Sequence, residues 1–72
     1  MKNYETQIAY CEYAISESSH TENEYDIEIK NAKHPLVEKC LKRSKENLLM
    51  YKRKLQIYKS KQILFNMQNG VR

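Results

Sequence analysis

Two cysteines and two histidines are the residues of this chain best suited to metal binding or nucleophilic catalysis: Cys11, Cys40, His20 and His34. No two of them have the short spacing of a zinc-binding pair. A cysteine nucleophile needs a histidine beside it and donors for an oxyanion, and the sequence carries no pattern that indicates either. The single glycine, Gly70, leaves no glycine-rich phosphate loop. We therefore predict a protein that is not an enzyme and has no metal or cofactor.

The elements that position these residues are predicted to be helices, because apolar residues recur with a period of 3.5 residues in both halves of the chain. Seven of nine such positions are apolar in each half. We call this set the seam. In the first half it comprises Tyr4, Ile8, Cys11, Ile15, Ser18, Glu22, Tyr25, Ile29 and Ala32. In the second half it comprises Val37, Leu41, Ser44, Leu48, Tyr51, Leu55, Tyr58, Gln62 and Phe65.

The only proline marks the point at which the chain reverses. Pro35 fits the first turn of a helix and pushes His34 out of helical geometry. We predict an all-α fold in one domain over residues 1–72: an antiparallel helical hairpin with helical arms at about 3–33 and 35–68 and a turn at 33–35. Asn69-Gly70 supplies the signal that ends the second arm.

The reversal sets a register that the sequence itself tests. Facing positions should have numbers that sum to about 69, so each seam tyrosine falls opposite a small residue, as dense packing requires. The facing pairs are Tyr25 with Ser44, Tyr51 with Ser18, and Tyr58 with Cys11. The same register predicts two flanking ion pairs, Glu12 with Lys59 and Asp26 with Lys45. It also separates the two cysteines by roughly 27 Å, which excludes a disulfide.

The first arm has two alternatives to a continuous helix. Residues 16–21 are weak helix formers, and Thr21 with Glu24 has the pattern of a capping box, so the arm could be broken near 18–21 to give three helices. Alternatively, Tyr25, Ile27 and Ile29 alternate with acidic residues as in a strand, although no second strand signal is present to pair with it.

A second apolar stripe on the C-terminal arm points away from the seam: Leu49, Met50, Ile57, Ile63 and Leu64. An exposed stripe of this kind marks an interface, so these residues are the predicted partner-binding set. A chain of 72 residues buries little surface alone, which favours a protein partner or a homodimer arranged as a four-helix bundle.

The charge of the chain is divided at the proline. Residues 1–34 have a net charge of −4 and residues 35–72 a net charge of +8. The two halves lying together would account for part of this asymmetry. The remaining surplus predicts a nucleic-acid-binding face formed by Lys42, Arg43, Arg53 and Lys54, without a recognised DNA-binding motif.

These observations predict a small helical adaptor, regulator or inhibitor that binds a macromolecule through the apolar stripe and its basic border. Its size would suit a phage-type inhibitor of a host enzyme. The alternative is a dimeric nucleic-acid-binding regulator that uses the basic face. No stretch is apolar enough to be a signal sequence or a membrane span, so we expect a cytoplasmic protein, including the cytoplasm of a host cell.

Overall fold

A computed structural model describes residues 3–70 of the chain, and the side chains of residues 3–68. Three helices make up this part of the protein: α1 (Glu5–Ser16), α2 (Glu22–Asn31) and α3 (Pro35–Gly70). No strand occurs within residues 3–70. The all-α prediction is therefore confirmed, and the strand alternative at residues 25–29 is wrong because those residues lie within α2.

The first arm is broken between α1 and α2, so it is not one helix over 3–33. Ser16 turns its hydroxyl back to the carbonyl of Tyr13 at 2.8 Å, a local bond that competes with helix continuation. Thr21 then begins α2 with a complete capping box. Its hydroxyl accepts from the Glu24 N–H at 3.3 Å, and the Glu24 carboxylate accepts from the Thr21 N–H at 2.8 Å. The sequence signal for a break at 18–21 is confirmed.

Helix α3 begins as the proline predicts. The backbone carbonyl of His34 accepts from the Glu38 N–H at 3.0 Å, and the ring Nδ1 of His34 accepts from the Leu36 N–H at 3.1 Å. The ring bond satisfies an N–H that the first turn of a helix leaves without a partner. The helix runs to Gly70, two residues beyond the predicted end. Its 36 residues span about 54 Å and set the long dimension of the molecule, which measures 60 × 16 × 14 Å.

Both short helices pack against α3, and their ion pairs show where. Glu12 of α1 reaches Lys59 at 4.0 Å, and Asp26 of α2 pairs with Lys45 at 2.5 Å. Both predicted ion pairs are thus confirmed. The core between the helices is small, since Cys11, Tyr25 and Leu48 are the buried hydrophobic residues of the described chain.

All nine seam positions of the first half are buried or half-buried. In the second half, the assignment of Val37 and Ser44 to a covered seam is wrong, because both are exposed. Val37 lies in the first turn of α3, beyond the end of α2 at Asn31, so no helix covers it. Ser44 lines an open groove beside Tyr25.

The two polar residues that interrupt the seam have partners. The Glu22 carboxylate accepts from the Lys52 ammonium at 3.0 Å. Gln62 accepts from the backbone N–H of Tyr4 at 2.6 Å and donates to Asn66 at 3.1 Å. These bonds offset the cost of placing polar groups at half-buried positions, and they join Tyr4 and the start of α2 to α3.

Candidate partner-binding surface

The apolar stripe predicted on the C-terminal arm lies on the side of α3 that faces away from α1 and α2. Met50 and Ile57 each follow a seam leucine by two residues, a rotation of about 200° around the helix. Leu64 continues the row at the same seven-residue spacing. Ile57 is 47% exposed and Leu64 57% exposed. We call the row Met50, Ile57 and Leu64 the outer face of α3; it is about 21 Å long.

The other two predicted stripe residues lie at the margin of this row. Leu49 is half-buried, whereas Ile63 is exposed. Sequence reasoning missed three further exposed apolar residues of α3, namely Leu36, Val37 and Met67. Leu36 stands 14 residues before Met50, in register with the outer row, but Arg43 occupies the position between them. Met67 falls outside both heptad rows, so a period of 3.5 residues gives no signal for it.

The lysines of α3 that lie beside the seam are occupied by acids of the first half. Lys45, Lys52 and Lys59 recur every seven residues and pair with Asp26, Glu22 and Glu12 respectively. Each of these lysines stands three positions before a seam residue, on the same side of the helix. Part of the opposite charge of the two halves is thus neutralised by ion pairs between them.

The four predicted nucleic-acid-binding residues do not share one environment. Lys42 pairs with Glu38 at 2.9 Å on the same helix, and this hydrogen bond and charge raise the pKa of Lys42. Arg43, Arg53 and Lys54 are exposed, and none of them forms an ion pair with an acid among the described residues. Arg53 and Lys54 flank the outer face on opposite sides, about one helical turn before Ile57.

The tyrosines between α1 and α3 are engaged with one another. Tyr4 stacks on Tyr58 with ring centroids 5.8 Å apart, and Tyr10 meets Tyr51 edge to face at the same distance. The hydroxyl contact with Tyr10 at 3.5 Å raises the pKa of Tyr51. Cys11 and three of these tyrosines line a groove of about 350 Å³. The rings therefore hold the start of the first half on α3. Tyr4, Tyr51 and Tyr58 are half-buried at their predicted seam positions, whereas Tyr10 lies outside the seam.

The residues with potential for chemistry are dispersed. Cys11 is buried and Cys40 exposed, and both are free thiols, as predicted. No group of three metal-binding side chains occurs in the described part of the chain. Sequence reasoning missed one cluster: the His20 ring contacts the Glu28 carboxylate and bonds to the Ser19 hydroxyl at 2.8 Å.

The order serine, histidine and carboxylate is that of a nucleophile with its base, but acyl transfer also needs converging donors for an oxyanion. Instead, the His20 ring stacks on Tyr25 at a centroid distance of 4.9 Å. The Ser18 hydroxyl donates its one proton to the His20 carbonyl at 3.0 Å and therefore accepts from the Tyr25 hydroxyl at 3.3 Å. These contacts fix the link between α1 and α2 against the buried Tyr25.

Compared with protein-family models, with curated proteins and with solved structures, the chain matches none. Within residues 3–70, no helix is both long enough and apolar enough to span a membrane. The site must therefore be interpreted from its own residues. Its features are an apolar row with basic residues on both sides. The row is about 21 Å long, because 14 residues of helix rise about 1.5 Å each.

Proposed function

We propose that this chain is a small, non-catalytic interaction protein, an adaptor, regulator or inhibitor, which binds another protein through the outer face of α3. Its scaffold is an antiparallel helical hairpin in one domain, with the first arm broken into α1 and α2. Met50, Ile57 and Leu64 form the apolar contact, and Arg53 and Lys54 form its charged border.

The observation that carries this proposal is the exposure of a regular apolar row that no other described residue of the chain buries. The solvent-accessible surface is 6013 Å², whereas a compact monomer of 8.7 kDa is expected to expose about 4,700 Å². The excess of about 1,300 Å² is larger than the roughly 800 Å² that a standard protein interface buries on each partner. A partner on the outer face would remove much of this excess.

The hairpin is supported by the order of contacts along α3. The partners of Glu12, Glu22 and Asp26 are Lys59, Lys52 and Lys45, so the positions on α3 decrease as those on the first half increase. An antiparallel arrangement produces this reversed order. It leaves the side of α3 opposite the seam open along its length.

Site-specific photo-crosslinking tests the proposal. A photoreactive residue replaces Ile57 in the full chain, in the cells that produce it, and a matched chain carries it at Ile27, an exposed isoleucine of α2. We expect a discrete protein adduct from position 57 that is lost when Met50 is also changed to Glu. Equal adducts from positions 57 and 27, or none from position 57, would contradict the proposal.

A second candidate function, a nucleic-acid-binding regulator, is favoured by the exposure of Arg43, Arg53 and Lys54. Tyr51 contacts the ring of Tyr10 in α1, and Tyr58 contacts the ring of Tyr4 just before α1, so base stacking on them would require the first half to move. Fluorescence anisotropy with duplex DNA and single-stranded RNA, from about 50 to 200 mM salt, tests this candidate. The candidate requires binding that weakens steeply as salt rises. It also requires that replacing Arg43, Arg53 and Lys54 with alanine reduce the salt dependence of the affinity.

A further inference from the structure

The inner side of α3 shows how this helix binds another helix. Lys45 and Lys52 stand three positions before Leu48 and Leu55, and Lys59 stands three positions before Gln62. Each lysine pairs with a carboxylate from α1 or α2. The seam residue three positions after each lysine is buried or half-buried beneath the first half. The pattern of a lysine and then a seam residue, repeated every seven residues, therefore receives acidic amphipathic helices.

The outer face repeats this pattern. Lys54 stands three positions before Ile57, and Lys61 stands three positions before Leu64. The repeat is displaced by two residues from the inner set, so Ile57 and Leu64 lie away from the seam, while the two lysines lie at the edge of the outer face nearer the first half. Lys54 lines the groove that Tyr10 and Cys11 also line. Lys54 is exposed without an ion pair to a described acid, and Lys61 lies 5.8 Å above the ring of Tyr4.

We infer that the outer face of α3 binds an acidic amphipathic helix of a partner protein, laid along Met50, Ile57 and Leu64 with its carboxylates against Lys54 and Lys61. This inference rests on the proposed function and specifies the chemistry of the partner. The row of about 21 Å requires a partner helix of at least four turns. Arg53 on the opposite border adds a third cation for a partner carboxylate.

A second copy of the chain fits this face less well. If two α3 helices paired antiparallel about Ile57, Arg53 of one copy would lie opposite Lys61 of the other, and like charges opposed at an interface are unfavourable. The acidic helices α1 and α2 already turn their seam residues toward their own α3. An acidic helix from another protein meets neither obstacle.

Peptide binding to the full chain tests the inference. The probe is a labelled helical peptide of about five turns with leucine at heptad positions and glutamate on both flanks, and its control has lysine in place of every glutamate. We expect anisotropy to show binding of the acidic peptide only, weakening as salt rises, since exposed charges are screened. Ile57→Glu should reduce the affinity by about tenfold or more.

Charge reversal provides a variant that keeps the apolar row. The double variant K54E/K61E should lose the acidic peptide and gain the basic one. The variant K30E/K33E carries the same charge change on α2 and on the segment after it, and it should bind as the wild type does. Circular dichroism verifies that each variant is helical.

Four results would overturn the inference: no binding of the acidic peptide, equal binding of the two peptides, acidic-peptide binding that survives K54E/K61E, or a wild-type dimer in sedimentation that Ile57→Glu dissociates. The last result would mean that a second copy covers the outer face. If the acidic peptide fails to bind while the crosslink from position 57 persists, this inference falls and the proposed function stands.

Discussion

The two sides of α3 both carry apolar residues and lysines at seven-residue spacing, but they differ in burial and in ion pairing. On the inner side, Leu48 is buried and lysines at seven-residue spacing pair with acids of α1 and α2. On the outer side, Met50 and Ile57 are exposed beside Arg53 and Lys54, which form no ion pair with the described acids. The same helix thus presents one amphipathic face that the chain satisfies and one that it leaves open.

This difference separates the residues that fold the chain from those available for binding. The first half can cover at most one side of α3, because the chain provides 22 helical residues in α1 and α2 against 36 in α3. The second heptad row of α3, Met50, Ile57 and Leu64, contributes little to the stability of the fold because its side chains are exposed. We therefore expect substitutions on the two sides to have different consequences, which can be measured.

The largest expected difference is between a buried and an exposed apolar residue. Leu48→Ala should destabilise the chain by about 2–5 kcal/mol through lost burial and the cavity left behind, because Leu48 is 5% exposed. Met50→Ala should change the free energy of unfolding by no more than about 0.5 kcal/mol. Urea denaturation followed by helicity measures both, and similar losses for the two variants would remove the distinction.

The capping box at the start of α2 gives the next largest effect. Thr21→Ala should cost about 1 kcal/mol, because it leaves the Glu24 N–H without its acceptor. Thr6→Ala, at an exposed position in α1, is the control and should be close to neutral. The outer face should retain its binding in both variants, so a loss of peptide affinity in Thr21→Ala would show that the two sides are coupled.

The ion pairs of the inner side should have a smaller effect. A double-mutant cycle between Glu22 and Lys52 should yield a coupling of about 0–1 kcal/mol that decreases with salt, since both groups are partly exposed. Lys54→Ala, on the outer side, should not destabilise the chain. If Lys54→Ala costs more than Lys52→Ala, the outer lysine has a partner within the fold.

The smallest predicted effect is a pH dependence from Glu24. Hydrogen bonds from the Thr21 backbone and hydroxyl, with the nearby charge of His20, lower the pKa of Glu24 below its ordinary value of 4.5. A carboxyl with a lowered pKa in the folded state contributes stability above that ordinary value, and this contribution is lost as the pH falls through the lower folded pKa. Glu24→Gln should therefore flatten the decline in stability below about pH 4.5, whereas Arg53→Ala should keep the wild-type slope. An unchanged slope in Glu24→Gln would contradict this assignment.

The sequence predicted the helices well because heptad spacing, the proline and the capping box act locally. It also predicted the pairs Glu12–Lys59 and Asp26–Lys45, since a single reversal point sets which residues meet. Of the candidate site, it identified the exposed residues Met50, Ile57 and Leu64 from the side of the helix on which they fall.

Other features depend on three-dimensional position and were not predictable from the pattern. Periodicity placed Val37 in the seam, but the end of α2 leaves it 51% exposed. Spacing alone also treated Lys42 as an unpaired cation, although Glu38 lies one helical turn before it. The contact of His20 with Glu28 requires the bend between α1 and α2, whose geometry the sequence does not define.

The central claim is that the outer face of α3 is exposed in the folded protein. The most direct test is the unfolding free energy of the variant M50E/I57E, measured at several protein concentrations. We predict a helical variant whose stability stays within about 1 kcal/mol of the wild type and does not depend on concentration, because exposed positions tolerate substitution. A loss as large as that of Leu48→Ala, or a wild-type stability that rises with concentration, would show that the outer face is already buried in the folded protein.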